Sequence, residues 1–246
     1  MAVPRVRPLL GDTRRTWAAM TLAACVIVVV LTGLLFKGET GPDGFDNVID
    51  SLVIATFRAH GGFLPWFALP GTLSPAIAVS AVIAAGCLIA KRPNGAVLAV
   101  AAVPAATGLD DGLLKHLFHR TYLGALSFPS GHTTSVTAMT ATLALLLLVP
   151  PQRARTRAVR AAVVAAACLI TVMVVIGVVG LRWHYFTDTV AGAAVGVGTV
   201  LGLALLLDLA TGAIGRSSTG PPGSPGSVQE PGLAPHSSVI PAIEDR

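Results

Sequence analysis

Phe128-Pro129-Ser130-Gly131-His132 opens one long apolar segment, and His184-Tyr185-Phe186-Thr187-Asp188 opens another. The surrounding chain of 246 residues is 53% hydrophobic and only 12% charged. A soluble domain carries about a quarter charged residues, so this chain reads as mostly bilayer-spanning. A span needs about 20 apolar residues. Segments 17–36, 70–90, 95–109, 132–149, 158–181 and 189–209 meet or approach that length. The third is the shortest. It holds Pro104 and runs into Asp110 and Asp111, and it is extended here toward Leu117. The expected fold class is therefore all-α: a polytopic membrane protein whose six transmembrane helices occupy residues 1–215. Residues 216–246, rich in Pro, Gly and Ser, read as a disordered cytoplasmic tail.

The first span is too long for a signal-peptide core, and no small-residue cleavage site follows it, so it reads as a retained anchor. Arg14-Arg15 reads as orienting charge ahead of that span. Cys25, Cys87 and Cys168 all fall inside apolar segments, giving neither a disulfide framework nor zinc-ligand spacing. The net charge of +5 does not point to nucleic acid, because the charges sit in short loops beside the spans.

Those charges alternate. Arg5, Arg7, Arg14 and Arg15 precede the first span, Lys91 and Arg92 separate the second from the third, and Arg153, Arg155, Arg157 and Arg160 separate the fourth from the fifth. The positive-inside rule then makes both termini cytoplasmic. The expected setting is a bacterial cell membrane, with Lys115, Arg120, His132, Arg182, His184 and Asp188 meeting at the outer face. Within the outer loop 38–69, apolar residues recur with helical spacing from Phe45 to Phe57. That segment is expected either to lie along the membrane surface or to form an ordinary packed loop helix.

At Ser130-Gly131-His132 a loop becomes the fourth span. Ser is a favoured N-cap, the first helical N–H groups lack internal partners, and a helix start of this kind attracts anions. Gly131 permits close backbone approach, and His132 then sits beside the anion. His184 and Asp188, four apart, would share a helix face. A carboxylate bonded to one ring nitrogen fixes the tautomer and leaves the other free to attack. Lys115 and Arg120 offer positive charge for non-bridging phosphate oxygens. Asp111, at i,i+4 from Lys115, competes for that lysine. Trp17 and Trp66 read as interfacial belt residues. Trp183 is either another or a packing partner of the site histidine. His116 and His119 lie close by with a weaker claim to a role, and His60 and His236 have no supporting cluster.

These residues resemble the type 2 phosphatidic acid phosphatase superfamily, integral membrane lipid phosphate phosphatases related in core fold to soluble vanadium haloperoxidases. The resemblance covers the core of about 95–210. It rests on Pro129-Ser130-Gly131-His132 and on His184-x3-Asp188. The family's first motif is a Lys, six residues, then Arg-Pro. Here Arg120 follows Lys115 after four, and Tyr122 and Leu123 stand at the Arg-Pro positions. The family's third motif begins Ser-Arg, where this chain has Gly177 and Val178. Arg182, one helical turn beyond Val178, is expected to take over that arginine's role.

The resemblance implies that His184 attacks phosphorus, Asp188 orients it and His132 serves as acid and then base. It implies that Lys115, Arg120, Ser130, Gly131 and Arg182 hold the phosphate, with no metal and no cofactor. The implied substrate is a lipid phosphate: a polyprenyl phosphate or diphosphate, phosphatidic acid or phosphatidylglycerol phosphate. Two alternatives stay open. A phosphotransferase would use the same site, and a non-catalytic protein would only bind lipid phosphate.

Overall fold

The computed structural model describes residues 8–149 and 154–217. Residues 1–7 and 150–153 lie outside this range, as does nearly all of the expected tail. Long helices dominate: α1 (Asp12–Leu35), α4 (Leu73–Ile89), α5 (Pro93–Leu109), α7 (Gly131–Leu148), α8 (Ala154–Gly180) and α9 (Phe186–Ser217). Shorter elements gather at one end. They are α2 (Gly44–Phe57), α3 (Leu64–Ala68), α6 (Lys115–Phe118) and an antiparallel hairpin of β1 (Thr121–Tyr122) and β2 (Ala125–Leu126).

Among the described residues, six helical stretches are long and apolar enough to cross a membrane, Gly44–Gly71 being one of them. Contacts show how that stretch runs. Asp46, near its start, accepts hydrogen bonds from Thr187 at the head of α9. Gly71, at its end, lies against the His132 backbone at the head of α7. Both ends therefore meet the same end of the bundle. Its Asp46 and Asp50 face inward, whereas Phe45, Val48, Leu52 and Trp66 are exposed. This inverted amphipathicity suits a helix with its apolar face in lipid at the membrane surface, the first of the two arrangements expected for this loop.

By contrast, α4 has only 17 residues, about 25 Å of helix. It starts beside His132 and ends in a turn where the Arg92 guanidinium donates to Leu146 O at 2.9 Å. It thus runs the length of α7. The third expected span does extend past Leu109, continuing to Phe118. Its register shifts through a π-helical turn, Asp110–Leu114.

In lipid there is little hydrophobic drive between helices, so close packing of small residues replaces it. Ala102, Ala106, Ala138, Ala191 and Ala204 are almost completely buried. Helices α7 and α9 are closely packed at Gly192, where an added Cβ would lie 2.5 Å from Ser130 O. The absence of a side chain there lets the two motif-bearing helix heads meet, and Ser130 N donates to Asp188 O at 3.0 Å. At the opposite end, buried Asp208 accepts from Leu9 N and Leu10 N at 2.6 and 2.8 Å.

Candidate active site

At the loop-rich end a cleft of about 650 Å³ opens between the heads of α4 and α7, the 181–185 turn and the hairpin. Lys115, Gly131, His132, Arg182 and His184 line it. Ser130, Arg120 and Asp188 are fully buried behind it.

His184 stands two residues ahead of α9, in the turn that follows α8. The helical i,i+4 pairing expected with Asp188 is therefore replaced by a different support. His184 Nδ1 donates to the Ser127 carbonyl at 2.9 Å, while Asp188 Oδ2 lies 3.8 Å away. Asp188 is held by other groups: Oδ1 accepts from Arg120 at 2.8 Å and Oδ2 from Tyr185 N at 3.1 Å. A carbonyl only accepts, so the proton sits on Nδ1 and the Nε2 lone pair remains available. The backbone of Ser127 fixes the tautomer, and Asp188 contributes nearby negative charge.

Arg120 was expected on the phosphate and is found elsewhere. Its guanidinium is sandwiched between the Phe36 and Tyr185 rings, 4.2 and 4.4 Å from their centroids. It donates to Thr187 Oγ1 at 2.7 Å, Asp188 Oδ1 at 2.8 Å and Asp46 Oδ2 at 2.6 Å. Both carboxylates and the arginine are fully buried. A buried charge needs pairing and hydrogen bonds to be tolerated, and this cluster supplies them. Arg120 thereby ties α2 to the head of α9 and reaches His184 only through Asp188.

The start of α7 follows the expected pattern in part. Ser130 is the N-cap residue, but its side chain makes no capping bond; its Oγ accepts from Thr133 Oγ1 at 3.2 Å. Gly131 does line the cleft, beside Lys115 Nζ. Lys115 also pairs with Asp111 at 2.7 Å, the competitor anticipated from spacing. The His132 ring lies 5.3 Å from Trp183 and 6.2 Å from His184, centroid to centroid. Trp183 is thus a packing partner of a site histidine. His116 and His119 do not line the cleft.

Arg182 reaches the cleft by an unexpected route. Helix α8 stops at Gly180, Val178 is fully buried, and Arg182 adopts a left-handed conformation (φ 59°). The helical-turn relation to position 178 therefore does not hold. The turn itself, closed by Trp183 N donating to Val178 O, presents the guanidinium instead.

The hairpin completes the rim. Leu123 and Gly124 both have positive φ (49° and 84°), which a two-residue turn of this hand requires. Burial pushes the Tyr122 hydroxyl above its ordinary pKa; Asp50 adds to the shift and Arg182 opposes it. Tyr122 thus remains a protonated donor on the cleft wall. Sequence reasoning missed Asp46, Thr187, Ser127 and Tyr122. Asp46 and Thr187 matter only through contacts distant in sequence, and Ser127 acts through its backbone, which leaves no side-chain signature.

The fold and cleft define an integral membrane helical bundle with paired histidines at a cationic surface pocket. The family model of the PAP2 superfamily matches residues 69–211, and the chain belongs to that superfamily. Among solved structures, it is similar to the first transmembrane PAP2-type phosphatidylglycerolphosphate phosphatase from Bacillus subtilis. The TM-score is 0.57 at 17% identity, covering 80% of this chain and 96% of that one. No curated protein matches the sequence.

Proposed function

We propose that the protein removes a terminal phosphate from a membrane lipid at the extracytoplasmic face, through a phosphohistidine at His184. The observation that carries this reading is the His184 ring. Its Nδ1 is committed to Ser127 O, and it faces His132 across 6.2 Å within a cleft that Lys115 and Arg182 also line.

In this scheme His184 Nε2 bonds to phosphorus as the bond to the lipid oxygen breaks, and His132 gives that oxygen its proton. His132 then takes a proton from water, whose oxygen displaces the histidine. Lys115, Arg182, the phenol of Tyr122 and the free N–H groups at the head of α7 stabilise the charge on the equatorial oxygens. The cleft supplies this positive charge itself, so the scheme uses no metal ion. Candidate substrates are polyprenyl phosphates or diphosphates, phosphatidic acid and phosphatidylglycerol phosphate, the last also named for the Bacillus subtilis protein. Phosphate release from a panel of these lipids, with chelator present, tests the reading. Release from none of them would sink it.

Arg182→Ala is expected to lower kcat by about two orders of magnitude, as the loss of one preorganised donor does. Arg182→Lys should restore only part, because Lys cannot make two parallel hydrogen bonds. A turnover number unchanged in Arg182→Ala would mean that Lys115 carries the charge without it.

The outward orientation rests on charge. Arg14, Arg15, Lys91, Arg92, Arg157 and Arg160 belong to the ends of α1, α4, α5 and α8 opposite the cleft. In a variant lacking the native cysteines, Tyr122→Cys should react with an impermeant maleimide on intact cells. Arg157→Cys should react only after lysis. Labelling of both from one side would refute the orientation.

A further inference from the structure

The catalytic cleft has a larger neighbour. A second cavity, of about 1100 Å³, lies between α2, the Arg58–Phe63 turn and the hairpin. Tyr122, Leu123 and Arg182 line both spaces and form the wall between them. Their chemistry differs. The cleft extends to Leu73 on α4 and Thr107 on α5, helices whose outer faces are apolar. The second cavity adds Thr40, Asn47, Ser51 and Arg58 to an apolar lining that includes Ile54, Phe57 and Leu64.

Its charges favour an anion. Lys115 and Arg120 are paired with carboxylates, whereas Arg58 and Arg182 are exposed and form no ion pair among the described residues. Asp50 is the one carboxylate among the described residues that line the cavity. It is 9% exposed and accepts from Phe186 N at 3.1 Å. Two unpaired guanidiniums against one largely buried carboxylate leave the space attractive to a small anion.

Hydrolysis of a lipid phosphate makes two products of opposite solubility. The lipid alcohol returns to the bilayer, whereas orthophosphate, a dianion or monoanion near neutral pH, cannot cross an apolar wall without a large desolvation cost. We propose that the second cavity is an orthophosphate-binding exit vestibule, in which Arg182 hands the product from the cleft to Arg58. This inference rests on the phosphatase reading above. Arg182 suits the handover because it belongs to the wall and lines both spaces. A guanidinium also holds phosphate through paired donors.

Occupancy of the vestibule is compatible with lipid in the cleft, and that gives the test. The full chain in mixed micelles hydrolyses its best lipid phosphate while orthophosphate is added as product inhibitor. For the wild type we expect mixed inhibition: a competitive part from the cleft and an uncompetitive part from the vestibule. Arg58→Ala should weaken the uncompetitive part about tenfold, the loss of one charge-assisted hydrogen bond, while the competitive part persists. Arg58→Lys should keep much of it. Ser51→Trp, which narrows the cavity beside Arg58, should slow turnover and produce a burst of about one lipid alcohol per enzyme, since product release then limits the rate. Purely competitive inhibition in the wild type, or the same mixed pattern in Arg58→Ala, would overturn the vestibule while leaving the phosphatase intact. Absence of any lipid phosphate hydrolysis would remove the phosphatase reading, and the vestibule with it.

Discussion

His184→Ala is expected to reduce phosphate release by about four orders of magnitude or more, the scale seen when the attacking residue of a covalent mechanism is removed. The same variant should yield no acid-labile, base-stable phosphoprotein after rapid quench with labelled substrate. The expectation follows from how the ring is held. Its Nδ1–H is fixed on Ser127 O, so Nε2 is the nitrogen left to attack. Asp188 Oδ2, 3.8 Å from Nδ1, would stabilise the cation that the proposed attack on phosphorus forms. Folding should survive the substitution, because the ring makes one hydrogen bond to the backbone and its neighbours on α9 are anchored independently through Asp46 and Arg120. Monodisperse, membrane-inserted but inactive protein is the outcome that supports the mechanism. Release within about tenfold of wild type would exclude His184 as nucleophile.

Arg120→Ala should have the second-largest effect, and on stability first. Removing the guanidinium leaves Asp46 and Asp188 buried without their cation, a change worth about 3–5 kcal/mol. The variant should lose tens of per cent of its detergent-extracted folded yield and melt well below wild type. Arg120→Lys should recover little, because one ammonium cannot reproduce bonds to Thr187, Asp188 and Asp46 between two aromatic faces. A residue that merely held substrate phosphate would behave otherwise, with normal melting and a raised KM. Thermal unfolding in detergent, measured beside KM, separates the two. Normal melting of Arg120→Ala would return the residue to the phosphate.

Arg120 also marks where sequence reading stopped. Spacing placed it near Lys115 and the Ser-Gly-His turn, and the structure keeps it at that end of the bundle. Its partners, however, lie 68 and 74 residues away in the chain. No local pattern distinguishes an arginine aimed at substrate from one turned toward buried carboxylates. Arg182 shows the converse. It was expected to line the site from a helical turn, and it lines the site from a left-handed one. The chain terminates α8 at Gly180, one residue short of the span end expected at 181, and the left-handed turn beyond it rather than a continued helix places Arg182.

The sequence by itself determined the membrane class, the helical architecture and the motifs whose residues meet at one end. Apolar length is a one-dimensional quantity, and the bilayer converts it directly into spans. The helical spacing read from Phe45 to Phe57 is met by α2, since its inward acids and outward apolar residues are a periodic pattern. Only the tertiary structure decided which polar groups serve each other. Ser127 O rather than Asp188 sets the His184 tautomer, Arg120 locks two carboxylates, and Tyr122 with Arg182 divides the cleft from the second cavity. Hydrogen bonds depend on tenths of an ångström and on direction. Such geometry is fixed where several helices and a hairpin converge, not along any one of them.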